Sequence, residues 1–167
     1  VDGGRFQDAL SELAREGGQS LECRFLEAAA RRGRNGLNDR VVASQLLQDV
    51  LNAGDSERSV DAHFLHADWA RQDGKQEEAL AILNGSSLRE KHLFVFHTLR
   101  AWLLITPDSS VLAKPDLDIA HALAAPTLPK HQLFLLAQIL LVAKDFDRTL
   151  PLLEQCVEPG RFGRSIL

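Results

Sequence analysis

Methionine is absent from all 167 residues of this chain. Without the initiator residue, the chain is expected to be a fragment of a longer protein, with any targeting segment cut away. Cysteine is scarce, with only Cys23 and Cys156, near opposite ends. A disulfide framework is therefore not expected. Two free thiols on apolar faces fit a reducing compartment, and a cytoplasmic location is the expectation. Long hydrophobic runs are lacking too. The longest, Leu133 to Ala143, is interrupted by Gln138 and is far shorter than the roughly 20 residues a membrane helix needs. No membrane span is expected, and the polar start Val1-Asp2-Gly3-Gly4 has no signal-peptide core. Nor is there an excess of positive charge. Lys and Arg number 19 against 23 Asp and Glu, a net charge of −4, which argues against nucleic acid as a direct partner. Arg31, Arg32 and Arg34 form the one dense basic cluster, read as a solvated helix end favoured by the helix dipole.

Catalytic and metal-binding motifs are missing as well. His63 and His66 lie three apart, hence on one helix face. A zinc site there would need a third ligand such as Asp61 or His97. The chain has no His-Glu-x-x-His and no Cys-x-x-Cys, so a polar groove or partly buried packing is the preferred reading of the pair. Gly160-Arg161-Phe162-Gly163-Arg164 has neither Walker nor dinucleotide spacing. There is no Gly-x-Ser-x-Gly elbow, and Cys156 reads as a small hydrophobe on a helix. Asn84-Gly85-Ser86 is formally a glycosylation sequon, explained sufficiently as a turn. No enzymatic activity, cofactor or metal is expected.

What is present is periodic. Hydrophobic residues make up 45% and charged residues 25%, enough to bury a core. Ala9, Ala43 and Ala79 stand 34 and 36 residues apart, and Thr149 follows 70 later. A second series, Ala67, Ala101 and Ala137, runs at 34 and 36 and interleaves with the first. Two small-residue registers sharing a period of about 35 mark positions where paired helices approach closely.

Breakers divide the chain accordingly. Gly17-Gly18 ends a first stripe of Phe6, Leu10 and Leu13. Ser20 is placed to cap a helix carrying Leu21, Phe25 and Leu26. Asn35-Gly36 turns the chain, and Asn38 or Asp39 is placed to cap the next helix. Ala53-Gly54-Asp55-Ser56 breaks it again. Helices over about Val60 to Gln72 and Gln76 to Leu83 flank the turn Asp73-Gly74-Lys75. A long aromatic helix, about Arg89 to Ile105, stops at Thr106-Pro107-Asp108-Ser109-Ser110. A short helix from Pro115 to near Ala125 follows, then a loop bracketed by Pro126 and Pro129. Helices over Lys130 to Ala143 and Phe146 to Val157 precede Pro159-Gly160, and Pro151 is either tolerated near the start of the last one or kinks it. No segment reads as a strand. The expected fold is all-α, with about nine helices.

Gly74-Lys75-Gln76-Glu77-Glu78-Ala79-Leu80, Gly3-Gly4-Arg5-Phe6-Gln7-Asp8-Ala9-Leu10 and Lys144-Asp145-Phe146-Asp147-Arg148-Thr149-Leu150 resemble the inter-helix turn of tetratricopeptide repeats. Phe6 and Phe146 match the family's aromatic, while Gln76 departs from it. Ala67, Ala101 and Ala137 fall on the small position of the first helix, and Pro159 loosely matches the family proline. The resemblance implies one domain over 1–167 of stacked antiparallel helical hairpins in a right-handed superhelix. Its units span about 1–18 (partial), 20–53, 59–85, 89–125 (degenerate) and 130–158. Residues 131–167 also resemble the helical sensor region of large LuxR-type ATP-dependent transcription regulators. Leu135-Leu136-Ala137-Gln138-Ile139-Leu140-Leu141, Phe146 to Glu154 and Gly160 to Arg164 carry that likeness, and the region is itself built of such repeats.

Family geometry puts the first helix of each hairpin on the concave side. It implies partner contacts at Asp61, Phe64, Asp68 and Arg71, at Thr98 and Trp102, and at His131, Phe134 and Gln138. Core packing between hairpins is the competing role for Phe64, Trp102 and Phe134, and Trp69 is assigned to packing. The leading expectation is a non-catalytic protein-interaction scaffold that binds a protein or peptide partner. The alternatives are a regulatory sensor of a small effector and a spacer in a secretion or polysaccharide-export assembly.

Overall fold

The computed structural model describes residues 3–15, 20–53, 57–106 and 110–156, and every regular element among them is a helix. The helices are α1 (Gly3–Arg15), α2 (Leu21–Arg34), α3 (Asp39–Asn52), α4 (Glu57–Asp73), α5 (Gln76–Asn84), α6 (Leu88–Lys91), α7 (Leu93–Leu104), α8 (Lys114–Leu123), α9 (Lys130–Val142) and α10 (Phe146–Cys156). The expected breakers at Gly17-Gly18, Gly54-Asp55-Ser56 and Pro107-Asp108-Ser109, and everything from Val157 on, lie outside the described residues. The tenth helix arises at His92. There the backbone leaves helical geometry (φ −135°, ψ 58°) and splits the expected long aromatic helix into α6 and α7. At the other end of the chain, α10 runs through Pro151 as one helix.

The chain divides into two compact units, Val1–Asp68 and Trp69–Leu167. In the first, α2 packs against both α1 and α3. Ser20 caps α2 by accepting from the Cys23 N–H at 3.1 Å. Asn35, in the left-handed region (φ 54°), ends the helix by donating its N–H to the Arg31 carbonyl at 3.0 Å. Near that end Gly33 lies under the Phe6 ring of α1, where a Cβ would stand 2.6 Å from ring carbons. A side chain there would force the Phe6 ring to shift.

The start of α3 departs from expectation. Asn38 makes no side-chain capping bond. Asp39 instead turns its carboxylate back on the preceding turn, accepting from the Gly36 N–H and from Arg34 Nε, each at 2.7 Å. Arg31 adds a longer ion pair at 3.6 Å. The Arg34 hydrogen bond holds the Asp39 carboxyl down at about 2, against the cost of its desolvation. Arg31 and Arg34 are thus engaged in an inward ion-pair network and do not form a merely solvated helix end.

The second unit is organised around α7, on which α5, α6, α8 and α9 all pack. Phe94, Val95, Phe96, Thr98, Leu99, Ala101 and Leu103 are buried on nearly every side of it, as expected of a helix apolar all round. α9 packs in turn on α8 and α10. The small-residue registers fall almost wholly on buried positions. Ala43, Ala67, Ala79, Ala101, Ala137 and Thr149 are all buried, and Ala9 alone is exposed.

Two turns of this unit share one bonding pattern 70 residues apart. Gly74 (φ 71°) and Lys144 (φ 61°) are both left-handed. The N–H groups of Gly74 and Lys144 donate to the carbonyls of Arg71 and Leu141 at 3.4 and 3.0 Å. Those of the next residues, Lys75 and Asp145, donate to Ala70 and Leu140 at 2.7 and 2.9 Å. This is the Schellman arrangement, which satisfies the last helix carbonyls and favours glycine at the left-handed position. No atom crowds a Cβ at Gly74, so backbone conformation alone sets the preference. Lys144→Gly is expected to raise the unfolding free energy by up to about 1 kcal/mol, and Gly74→Ala to lower it by about 1 kcal/mol. Urea denaturation of the two variants would measure both. Changes of equal sign would show that the two turns are not energetically equivalent.

Candidate functional site

Asp61, Phe64 and Asp68 lie on α4 within the first unit, at the i, i+3, i+7 spacing of one helix face, and all three are half-buried. The remaining expected contact residues belong to the second unit. The Arg71 guanidinium stacks on the Trp102 ring, 4.0 Å from its centroid. It also donates to the Trp102 carbonyl and, at 2.8 Å, to the Ile105 carbonyl. Its charge therefore satisfies acceptors at the carboxyl end of α7 that have no partner within that helix. Arg71 and Trp102 are brought together, and the geometry makes them a clasp on α7. Thr98 is fully buried, and its hydroxyl donates to the Phe94 carbonyl at 2.8 Å. A partner cannot reach it, so the expected contact role of Thr98 is corrected to packing. Trp69 is buried, as its assignment to packing required.

His131, Phe134 and Gln138 are all exposed on α9. At about 100° per residue, the exposed residues of this helix (Lys130, His131, Phe134, Gln138, Leu141 and Val142) occupy an arc of roughly 120°. Gln132, Leu133, Leu136, Ala137, Ile139 and Leu140 occupy the opposite arc and are buried. The outer arc carries three large apolar side chains, with Phe134 46% exposed, Leu141 50% and Val142 41%. Leu141 and Val142 were not among the expected contacts. Their spacing of seven and eight from Phe134 was the available signal, hidden because α9 is apolar on both faces.

Compared with family models, curated proteins and solved structures, the chain matches none. The character of the site therefore rests on its own chemistry.

Burial, and secondarily the nearby His66, push the His63 imidazole down to about 4, so it is neutral at pH 7. His97, a candidate third metal ligand, is instead paired through Nδ1 with the buried Asp116 at 2.7 Å, and Arg100 reaches the same carboxylate oxygen at 3.4 Å. These contacts tie α7 to the first turn of α8. Burial pushes the Cys156 thiol up, which lowers its thiolate fraction, and its Sγ faces the Lys130 carbonyl at 3.6 Å. Both cysteines are free. Among the described residues, no group of three or more His, Cys, Asp or Glu side chains is placed to hold a metal ion. No helix among them is long and apolar enough to cross a membrane.

Proposed function

We propose that the chain is a non-catalytic, tetratricopeptide-like interaction scaffold that docks a peptide segment of a partner protein on the outer arc of α9. The observation that carries this reading is the exposed set Phe134, Leu141 and Val142, flanked by His131 and Gln138, on a helix whose opposite arc is closed core. An aromatic anchor with aliphatic neighbours and a polar margin has the composition of an energetically productive contact patch. A peptide helix or extended segment would read such a patch through apolar side chains spaced along it. The repeat character assumed here is supported by the two equivalent Schellman turns and the buried small-residue registers.

Selection of a displayed random peptide library on the folded protein tests the reading. Recovered sequences should share two or three apolar anchors and should lose about 30-fold or more in affinity for Phe134→Asp. Circular dichroism would establish that this variant keeps its helices. Peptides that bind wild type and variant equally would place docking elsewhere and end the assignment to α9.

A further inference from the structure

The start of α8 and the turn between α9 and α10 face one another across a cleft of about 340 Å³. Ser110, Lys114, Lys144, Asp145, Asp147 and Arg148 supply its polar lining. Part of that charge is already matched. Arg148 donates from Nε to Asp145 at 2.6 Å and from Nη1 to Asp118 at 2.7 Å. Asp145 also accepts the Arg148 backbone N–H at 3.3 Å. Among the described residues, Lys114 and Lys144 have no carboxylate partner within ion-pair distance, Asp147 included. Two exposed lysines from different elements, neither in a carboxylate ion pair, thus line one small cleft. The backbone adds a second, independent oddity. Lys144 occupies a left-handed position that favours glycine, and Gly74 stands at the equivalent turn 70 residues earlier. Strain kept at such a position points toward a role for the side chain it carries.

We propose that this cleft binds a small phosphate ester, whose phosphoryl group sits between Lys114 and Lys144. Two ammonium groups balance the dianion, and the Ser110 hydroxyl supplies a further donor to its three oxygens. Asp147, also on the lining, accepts from a hydroxyl group of the ligand, while the exposed Phe146 ring supports its carbon skeleton. The volume lies at the small end of ligand cavities, which suits a compact metabolite better than a folded partner. The ion pairs of Arg148 with Asp145 and Asp118, which together leave one negative charge, keep the turn in place whether or not the ligand is bound.

Calorimetric titration at constant ionic strength, with inorganic phosphate, glycerol 3-phosphate and a short phosphoserine peptide as probes, tests the assignment. The second protein is Lys114→Gln/Lys144→Gly, in which glycine suits the turn, so a loss of binding cannot be ascribed to unfolding once circular dichroism is unchanged. Saturable binding is expected, tighter for glycerol 3-phosphate than for inorganic phosphate. The double variant should bind at least about tenfold more weakly, the cost of losing a charge-assisted contact. No saturation with either small probe, or equal affinity in the double variant, would overturn the site. Tighter binding of the phosphoserine peptide than of glycerol 3-phosphate would overturn the small-ligand assignment in favour of a phosphorylated partner.

Discussion

Between pH 6.5 and about 4 the protein is expected to lose stability progressively, through His63. The ordinary imidazole value is 6.5, and burial lowers that of His63 to about 4 in the folded chain. Across this window the unfolded state binds a proton that the folded state refuses, so acid favours unfolding. The contribution of His63 is fully present above pH 6.5, falls as the pH drops, and levels off below about 4. A shift of this size corresponds to about 3 kcal/mol at its limit, a large share of the stability of a small domain. His66, which opposes a second positive charge nearby, acts in the same direction. Urea denaturation at pH 7.5 and pH 4.5 would measure the loss, and His63→Gln should remove most of it. An equal loss in that variant would assign the acid sensitivity to other groups. The carboxylate of Asp39, held at about 2 by Arg34, loses its ion-pair contribution only at still lower pH.

The second large effect contrasts two positions six residues apart on α9. Leu140 is fully buried, so Leu140→Ala should cost about 2–5 kcal/mol, combining lost transfer energy with an unfilled cavity. Phe134 removes more atoms on truncation but leaves them half in water, and Phe134→Ala should cost only about 1 kcal/mol. Chemical denaturation of both variants checks the pair. A cost at Phe134 comparable to that at Leu140 would mean that the outer arc is part of the core, and the docking proposal would fall with it. The same substitution at Phe134 should weaken a selected peptide while leaving the fold intact, which separates binding from stability.

Much of the helical organisation was readable because its punctuation obeys local rules. Ser20 caps, Gly74 turns, and small residues recur where burial is complete. The departures have equally local causes. His92 breaks a run that is apolar enough to read as one helix, because hydrophobicity does not register a single φ/ψ change. Asp39 was legible as a cap by type, yet it is the first helical residue, and its carboxylate accepts from the Gly36 N–H and from Arg34 instead. The contact surface was legible only in part. Periodicity identifies a buried stripe, whereas α9 is apolar on both arcs, and only solvent exposure distinguishes Leu141 from Leu140. Thr98 failed as a contact residue for a related reason: a hydroxyl bonded to the carbonyl one turn earlier is chemically at home in a core.

The central place of α7 has a consequence for how the second unit comes apart. With α5, α6, α8 and α9 leaning on it, α7 cannot be exposed without dismantling most of that unit, so its amides should open only in the global event. α10 rests chiefly on α9 and carries Pro151 in its interior, which removes one backbone donor. It can detach while the hub stays intact. The unit therefore has a hierarchy of opening, with a rim that can fray and refold locally around a centre that is all or none.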